Sequence, residues 1–236
     1  MLAVFFVTAV LPAFAAVYPP PTEEYVNDFA GVISPGDAGR IRELLARVER
    51  EAGIEITVVT IASLEEQGAS SSLRRYAAGL FDSWGVGDSR RSDGVMLLFS
   101  LGDREVWVEM GAGYQSRHDA ALQEVVDSRM LPYFRDGDYS RGLYEGARGV
   151  SEVVTRQVSW LSYHKWPLIL SAVAAACICA GVSCMRSGKK GWGYVFFSIA
   201  GVLLLFVIKI LLSGKGGRRG GFGGGRSGGG GAGGKW

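Results

Sequence analysis

Five aspartates, Asp28, Asp82, Asp88, Asp93 and Asp119, fall in loops or at the ends of predicted elements. Those are the places where an open α/β sheet builds its sites. Hard divalent cations such as Ca2+ and Mg2+ are held by carboxylate and carbonyl oxygens. Two or three of these acids together would hold one. A metal so placed polarises a phosphoryl oxygen and activates water, which is the chemistry of phosphomonoester hydrolysis. Each acid also has an ordinary structural use. Asp28 suits a turn cap, Asp82 a solvated helix face, and Asp119 a helix N-cap, while Asp88 and Asp93 stand near glycines as turn residues do. Asp28, Asp93 and Asp119 are the stronger metal candidates, and Asp82 and Asp88 the weaker.

Other chemistry is sparse. The two histidines are His118 and His164. Arg117-His118-Asp119 has the residue types of a catalytic fragment, but chain neighbours seldom face one another, and a helix start accounts for the run. The sequence contains no H-E-x-x-H and no G-x-x-x-x-G-K-[ST], so neither a zincin pair nor a phosphate loop is present. Arg74-Arg75 and Arg90-Arg91 suit a phosphate or plain solvent. Trp84 and Trp107 read as packing residues, and Gly85-Val86-Gly87 and Gly111-Ala112-Gly113 as turns. No catalytic residue is assigned.

Charge divides the chain sharply. All 23 acids lie between Glu23 and Glu152, and residues 17–163 set 15 Arg and no Lys against them, a net −8. The ten cationic residues from Lys165 onward meet no acid. A carboxylate-rich globule is a poor partner for nucleic acid, whose phosphates need a cationic face. It suits cations, or simply solubility. Cys177, Cys179 and Cys184 all sit in one hydrophobic stretch. The globular part therefore has no disulfide framework, and C-x-C alone is a weak metal signal.

The elements that position the acids follow from pattern. Ser34-Pro35-Gly36-Asp37 is a helix start, and Ile41, Leu44, Leu45 and Val48 recur at helical spacing up to Gly53. Residues 54–60 read as a strand and 71–84 as a helix. Val95 to Phe99 is continuously apolar, as a strand buried on both faces is. Arg104 to Met110 alternates and forms a hairpin with it. A helix from about Asp119 to Met130 is expected to stop at Leu131-Pro132. A last helix runs from near Asp138 to about Ser159. The order α-β-α-β-β-α-α implies α/β, a three-layer α/β/α sandwich with a small central sheet.

Flanking segments set the location. Residues 1–16 carry an apolar core and Ala13-Phe14-Ala15, a signal-peptide cleavage pattern without a basic n-region. Residues 17–24 form a Pro-rich linker and residues 25–160 the domain. Two uncharged spans, 166–185 and 191–212 (the latter interrupted by Lys209), each suffice for a hydrocarbon core of ~30 Å. With the basic loop 186–190 they read as a two-helix transmembrane hairpin in the cell (inner) membrane, with the lipid bilayer as partner. Export places the domain on the periplasmic or extracellular side and the loop in the cytoplasm. Five cationic residues in the last segment run against the positive-inside rule. Residues 213–236 form a Gly-rich basic tail, with 14 Gly from Gly214 to Trp236. Its paucity of apolar side chains predicts disorder.

Five blocks in order resemble one family. They are Tyr25 to Ser34 (YVNDFAGVIS), Phe81 to Gly87 (FDSWGVG), Asp93 to Ser100 (DGVMLLFS), Arg104 to Gly111 (REVWVEMG) and Tyr133 to Leu143 (YFRDGDYSRGL). Followed by apolar spans and a Gly-rich end, they are similar to the TPM domain family, including its bacterial secreted or membrane-anchored members of the YgcG type. The resemblance covers about Tyr25 to Val158. It implies an α/β/α sandwich outside the cytoplasmic membrane. It also implies two activities found among relatives: acid-phosphatase-like hydrolysis in thylakoid members, and binding of Ca2+ or other divalent ions. The family's acidic positions carry over to Asp28 and Asp93. After Gly113 the sequence departs from the family's Tyr-Gly-x-Glu-Gly pattern, and the Glu of that loop is absent. Asp119 is then the nearest substitute ligand. The overall expectation is a membrane-anchored, cation-binding assembly or interaction factor of the cell envelope with envelope-protein partners. The alternative is a divalent-metal-dependent phosphatase.

Overall fold

The computed structural model describes residues 18–156, 160–187, 190–213 and 222–236. The signal-peptide segment lies outside the described residues. The chain divides into two units: one holds the residues up to Val153 together with Gly221–Trp236, the other Val154–Gly220.

The first unit is a mixed α/β domain. Strands β1 (Val26–Asp28), β2 (Ile56–Ile61), β3 (Val95–Ser100), β4 (Glu105–Gly111) and β5 (Ser227–Lys235) form one sheet in that spatial order. β1, β2 and β3 are parallel, and β4 and β5 are antiparallel to their neighbours. The β3–β4 hairpin matches the sequence reading. β1 is an addition: three residues are too few to show a period, and the pairing with Val58 to Thr60 makes them a strand.

Helix α1 (Pro35–Ala52) opens at Ser34, whose Oγ accepts from the Asp37 N–H at 3.2 Å. It closes at Gly53 in the left-handed region. Helix α2 (Leu73–Trp84) opens likewise on Ser72. Leu73, Tyr76, Ala77, Leu80 and Phe81 of α2 pack on Val59, Ile61, Met96 and Leu98. The alternate residues point the other way: Phe99 meets Phe134 and Tyr139 at ring distances of 5.1 and 5.4 Å. β2 and β3 are thus buried on both faces throughout, which explains the unbroken apolar run of β3.

Helix α3 (Asp119–Val125) continues through a π-helical turn, Val126–Met130, into α4 (Leu131–Arg135), and α5 (Tyr139–Thr155) follows. The expected stop at Pro132 does not occur. Proline falls in the first turn of α4, where its missing N–H removes no intrahelical bond, and the wider π turn before it absorbs the register change. The Pro-rich segment is not a free linker. Tyr18 packs on Tyr76 at 5.2 Å, and the Pro19 carbonyl accepts from Trp84 Nε1 at 2.7 Å.

The expected disorder of residues 213–236 is overturned for 222–236. They form β5 and its lead-in, and they belong to the domain rather than to a separate tail. The physical reason is that the apolar contact and the hydrogen-bonding partners come from elsewhere in the domain.

The second unit holds α6 (Trp160–Arg186) and α7 (Lys190–Ser213), which pack against each other. Among the described residues one helix is long and apolar enough to cross a membrane, through Ile169–Arg186; the apolar run of α7, Tyr194–Lys209, is shorter. Of the fifteen large hydrophobic side chains exposed among the described residues, all but Phe29 lie on these two helices. That concentration is far beyond scattered surface hydrophobics.

Candidate functional site

The parallel register places the predicted acids. Asp28 pairs with Thr60, which pairs with Phe99 near the end of β3. Asp93 instead precedes Val95, which pairs with Ile56 at the start of β2. Asp28 and Asp93 therefore stand at opposite ends of the sheet, about six residues or ~20 Å apart along the strands. The structure does not bring them together.

Each acid has a local occupation. The Asp28 carboxylate accepts from the Val32 N–H (3.1 Å), the Ile33 N–H (2.9 Å) and Thr60 Oγ1 (2.5 Å), and so closes the turn after β1. Asp88 Oδ1 accepts from the Arg90 and Arg91 N–H groups at 2.9 and 3.3 Å. Burial pushes its carboxyl up, but those N–H groups and the two arginines outweigh it and hold it below the usual range. Asp93 is the opposite case. Burial raises it, despite Arg91 Nε at 3.0 Å and nearby backbone N–H groups, and Asp88 adds to the rise. Its Oδ1 is buried and makes no hydrogen bond. His118 sits at the start of α3 with its ring 5.5 Å from that of Tyr114 and makes no cap. Burial and Arg117 hold it below the ordinary imidazole range.

The remaining acids converge on the Gly-rich segment. Asp82 Oδ1 accepts from the Ser227 N–H at 2.6 Å, and Asp119 Oδ1 from the Gly231 N–H at 3.1 Å. Two acids outside the predicted set join them, both fully or nearly buried. Glu55 Oε2 accepts from the Gly87 N–H (2.7 Å) and the Gly223 N–H (3.2 Å). Glu109 accepts from Ser227 Oγ (2.5 Å) and Trp107 Nε1 (2.7 Å). Burial raises the Glu109 carboxyl, opposed by these donors, the Gly229 N–H and Arg74. Alternation in β4 does set Glu105, Trp107 and Glu109 on one face. Nothing in the alternation signals that this face is covered, because the cover is made of glycine.

The cover is closely fitted. β5 pairs with β4 from Glu105↔Lys235 to Met110↔Gly230. The Trp107 indole lies against the α2 side of β5, so a Cβ on Gly233 would strike its ring. Arg74 of α2 sits over that ring at 5.2 Å and donates to the Gly229 carbonyl at 2.5 Å. On the other face, Gly234 lies against Leu131 and Val126. At the entry, a Cβ on Gly225 would collide with the Val86 carbonyl oxygen. Aromatic rings anchor both ends. Phe222 stacks on Trp84 at 5.5 Å, and Trp236 lies among Phe99 (5.0 Å), Phe134 (4.7 Å) and Tyr139 (6.0 Å). The arrangement is a peptide-strand groove: main-chain hydrogen bonds along a sheet edge, with pockets at the ends.

For a divalent cation the residues fit poorly. Among the described residues no three of His, Cys, Asp and Glu gather as a metal group. Asp28 is turned to its own loop and Asp119 to β5.

Fold and groove together define a mixed α/β domain whose sheet is completed by a glycine-rich strand. The chain belongs to the TPM domain family: the family's sequence pattern matches residues 26–153, more than half its length. Among solved structures, it is similar to the N-terminal domain of a protein from P. gingivalis, determined in solution by NMR. The identity is 28%, the match covers 58% of this chain and 85% of that one, and the TM-score is 0.51. The BA42 protein from Bizionia argentinensis is 13% identical, over 54% of this chain and 85% of that one, at a TM-score of 0.47. The N-terminal domain of a protein from Corynebacterium glutamicum is 16% identical, over 62% and 87%, at 0.45. No curated protein matches the chain.

Proposed function

We propose that this TPM-domain protein is a membrane-tethered docking or assembly factor of the cell envelope, with its domain on the periplasmic or extracellular side and α6 and α7 as a transmembrane hairpin. The exposed apolar surface of α6 and α7 supports the tether. The Ala13-Phe14-Ala15 pattern and the basic residues between the two apolar helices support the orientation. One observation carries the docking role. Asp82, Asp119, Glu55 and Glu109 all direct a carboxylate oxygen at donors of one Gly-rich segment, β5 and its lead-in. Acids that accept N–H and O–H groups from the chain serve recognition rather than proton transfer to a substrate.

The competing reading is a phosphomonoester hydrolase dependent on Ca2+ or Mg2+. It rests on Asp93, whose buried Oδ1 makes no hydrogen bond and would be relieved by a cation. One such carboxylate beside Asp88 falls well short of the six to eight oxygens that calcium takes. The test uses the full chain in detergent, with a generic phosphate ester and either cation. The docking reading expects no turnover above background and an unchanged melting temperature. Turnover that needs the cation and disappears in Asp93→Asn would replace it with the hydrolase. A reporter fused after Ser159 checks the orientation, and activity confined to the cytosol would overturn it.

A further inference from the structure

The groove on β4 admits a narrow class of ligand. Its occupant must lack side chains where Trp107 and the Val86 carbonyl press on the strand, at Gly233 and Gly225. It must carry a small residue at the buried Ala232. It needs a hydroxyl for Glu109 at Ser227, and aromatic rings for Trp84 and for the Phe99, Phe134 and Tyr139 cluster. A peptide of that description exists on this chain itself.

We propose that the β4 edge is a strand-exchange site, which accepts the Gly-rich strand 222–236 of a second copy of this protein and holds the chain's own strand when no second copy is engaged. The proposal deepens the docking reading and rests on it, by naming the partner. Three features carry it. First, β5 is attached by noncovalent contacts alone, namely backbone pairing, side-chain hydrogen bonds from Arg74, Asp82, Glu109 and Asp119, and the aromatic end anchors, so a strand from another copy reproduces every contact, and exchange costs only association. Second, the charges are complementary: the segment brings Arg226 and Lys235 to a domain of net −8, and Lys235 Nζ lies 3.3 Å from Glu105. Third, an empty groove is unfavourable. Without the strand, Glu55 and Glu109 lose donors that offset their burial. A copy whose own strand is displaced therefore takes another. Copies held in one bilayer meet at high effective concentration, which favours reciprocal exchange.

Paired positions give the experiment. Glu105 and Lys235 are register partners. In full-length chains with Cys177, Cys179 and Cys184 changed to Ala, Glu105→Cys and Lys235→Cys are placed either on one chain or on two co-expressed chains. After mild oxidation in membranes, the double variant should close an internal disulfide. The mixed single variants should give a disulfide-linked dimer. Trp236→Ala on the donor should lower that dimer at least about tenfold. An internal disulfide without any dimer would overturn exchange while leaving the docking reading intact. Neither product would overturn the edge pairing itself. Cation-dependent phosphate-ester turnover with normal dimer formation would instead remove the docking role and keep the exchange.

Discussion

β3 and β5 lie in one sheet, on either side of β4, and share almost nothing in composition. β3 is Val-Met-Leu-Leu-Phe-Ser, buried along its whole length. β5 is Ser-Gly-Gly-Gly-Gly-Ala-Gly-Gly-Lys. β3 brings its own apolar surface and holds both layers of helices. β5 brings only a backbone, and Trp107, Arg74, Val126 and Leu131 close over it. Glycine weakens a strand by its entropy and its missing side chain. Here the missing side chain is the requirement, since the covering rings and carbonyls approach to where a Cβ would be. Strand formation follows from who supplies the contact, not from the segment's own hydrophobicity.

Substitutions would break or sharpen that contrast. The largest effect is expected in β3. Leu97→Ala should cost about 2–5 kcal/mol of global stability, read as a shift in the unfolding midpoint of the whole domain. A local effect on β5 alone would contradict the central role given to β3. Gly225→Val should act the other way round, expelling the entry of β5 against the Val86 carbonyl. Amide exchange should rise about a hundredfold or more across residues 227–235, while β2 and β3 amides stay protected. Equal exchange in both regions would show that β5 is no separable unit.

Trp236→Ala removes the ring from its three aromatic neighbours. Its cost should be about 3 kcal/mol, most of it in docking of β5, and hydrogen exchange should again localise the loss. Glu109→Gln sharpens the electrostatic side. Burial keeps the Glu109 carboxyl above its ordinary range. The folded state therefore prefers the protonated form. That contribution is full below the usual carboxylate range and is lost as pH rises through the raised value. The stability of the wild type relative to the Gln variant should fall across that window, measured by denaturation at stepped pH. A difference that stays flat with pH would mean that Glu109 is not the strained group. The smallest effect is expected from Lys235→Ala, whose exposed ion pair with Glu105 should contribute under about 1 kcal/mol.

Much of the fold was legible because the signals were local. Ser34 and Ser72 start helices, Gly53 and Gly85 end them, and β3 announces its burial by composition. The resemblance to the TPM domain family, carried by five short blocks, agrees with the match over residues 26–153. The site was less legible. Asp28, Asp93 and Asp119, with Asp82 and Asp88 behind them, stand in the sequence as candidate cation ligands; in the structure Asp28 and Asp88 close their own turns, while Asp82 and Asp119 accept N–H groups of β5. Their partners lie 112 to 145 positions away for Asp82, Asp119 and Glu109 in β5, or within a few residues for Asp88 and Asp93, and spacing alone does not tell these apart. Pro132 was misread for a related reason: a π turn just before it shifts the register so that proline becomes a helix start.

The amino-acid order by itself determined the acidic domain, its capped helices, its apolar inner strands and the two greasy segments that follow. These depend on residues close in the chain, whose spacing encodes their period. Only the tertiary structure decided that Phe222 to Trp236 complete the sheet, and that Glu55 and Glu109 lie beneath them. A glycine run carries no periodicity to read. Its conformation is set by the edge of β4, the rings at either end and the carboxylates that receive its N–H groups, and those meet only once the chain has folded.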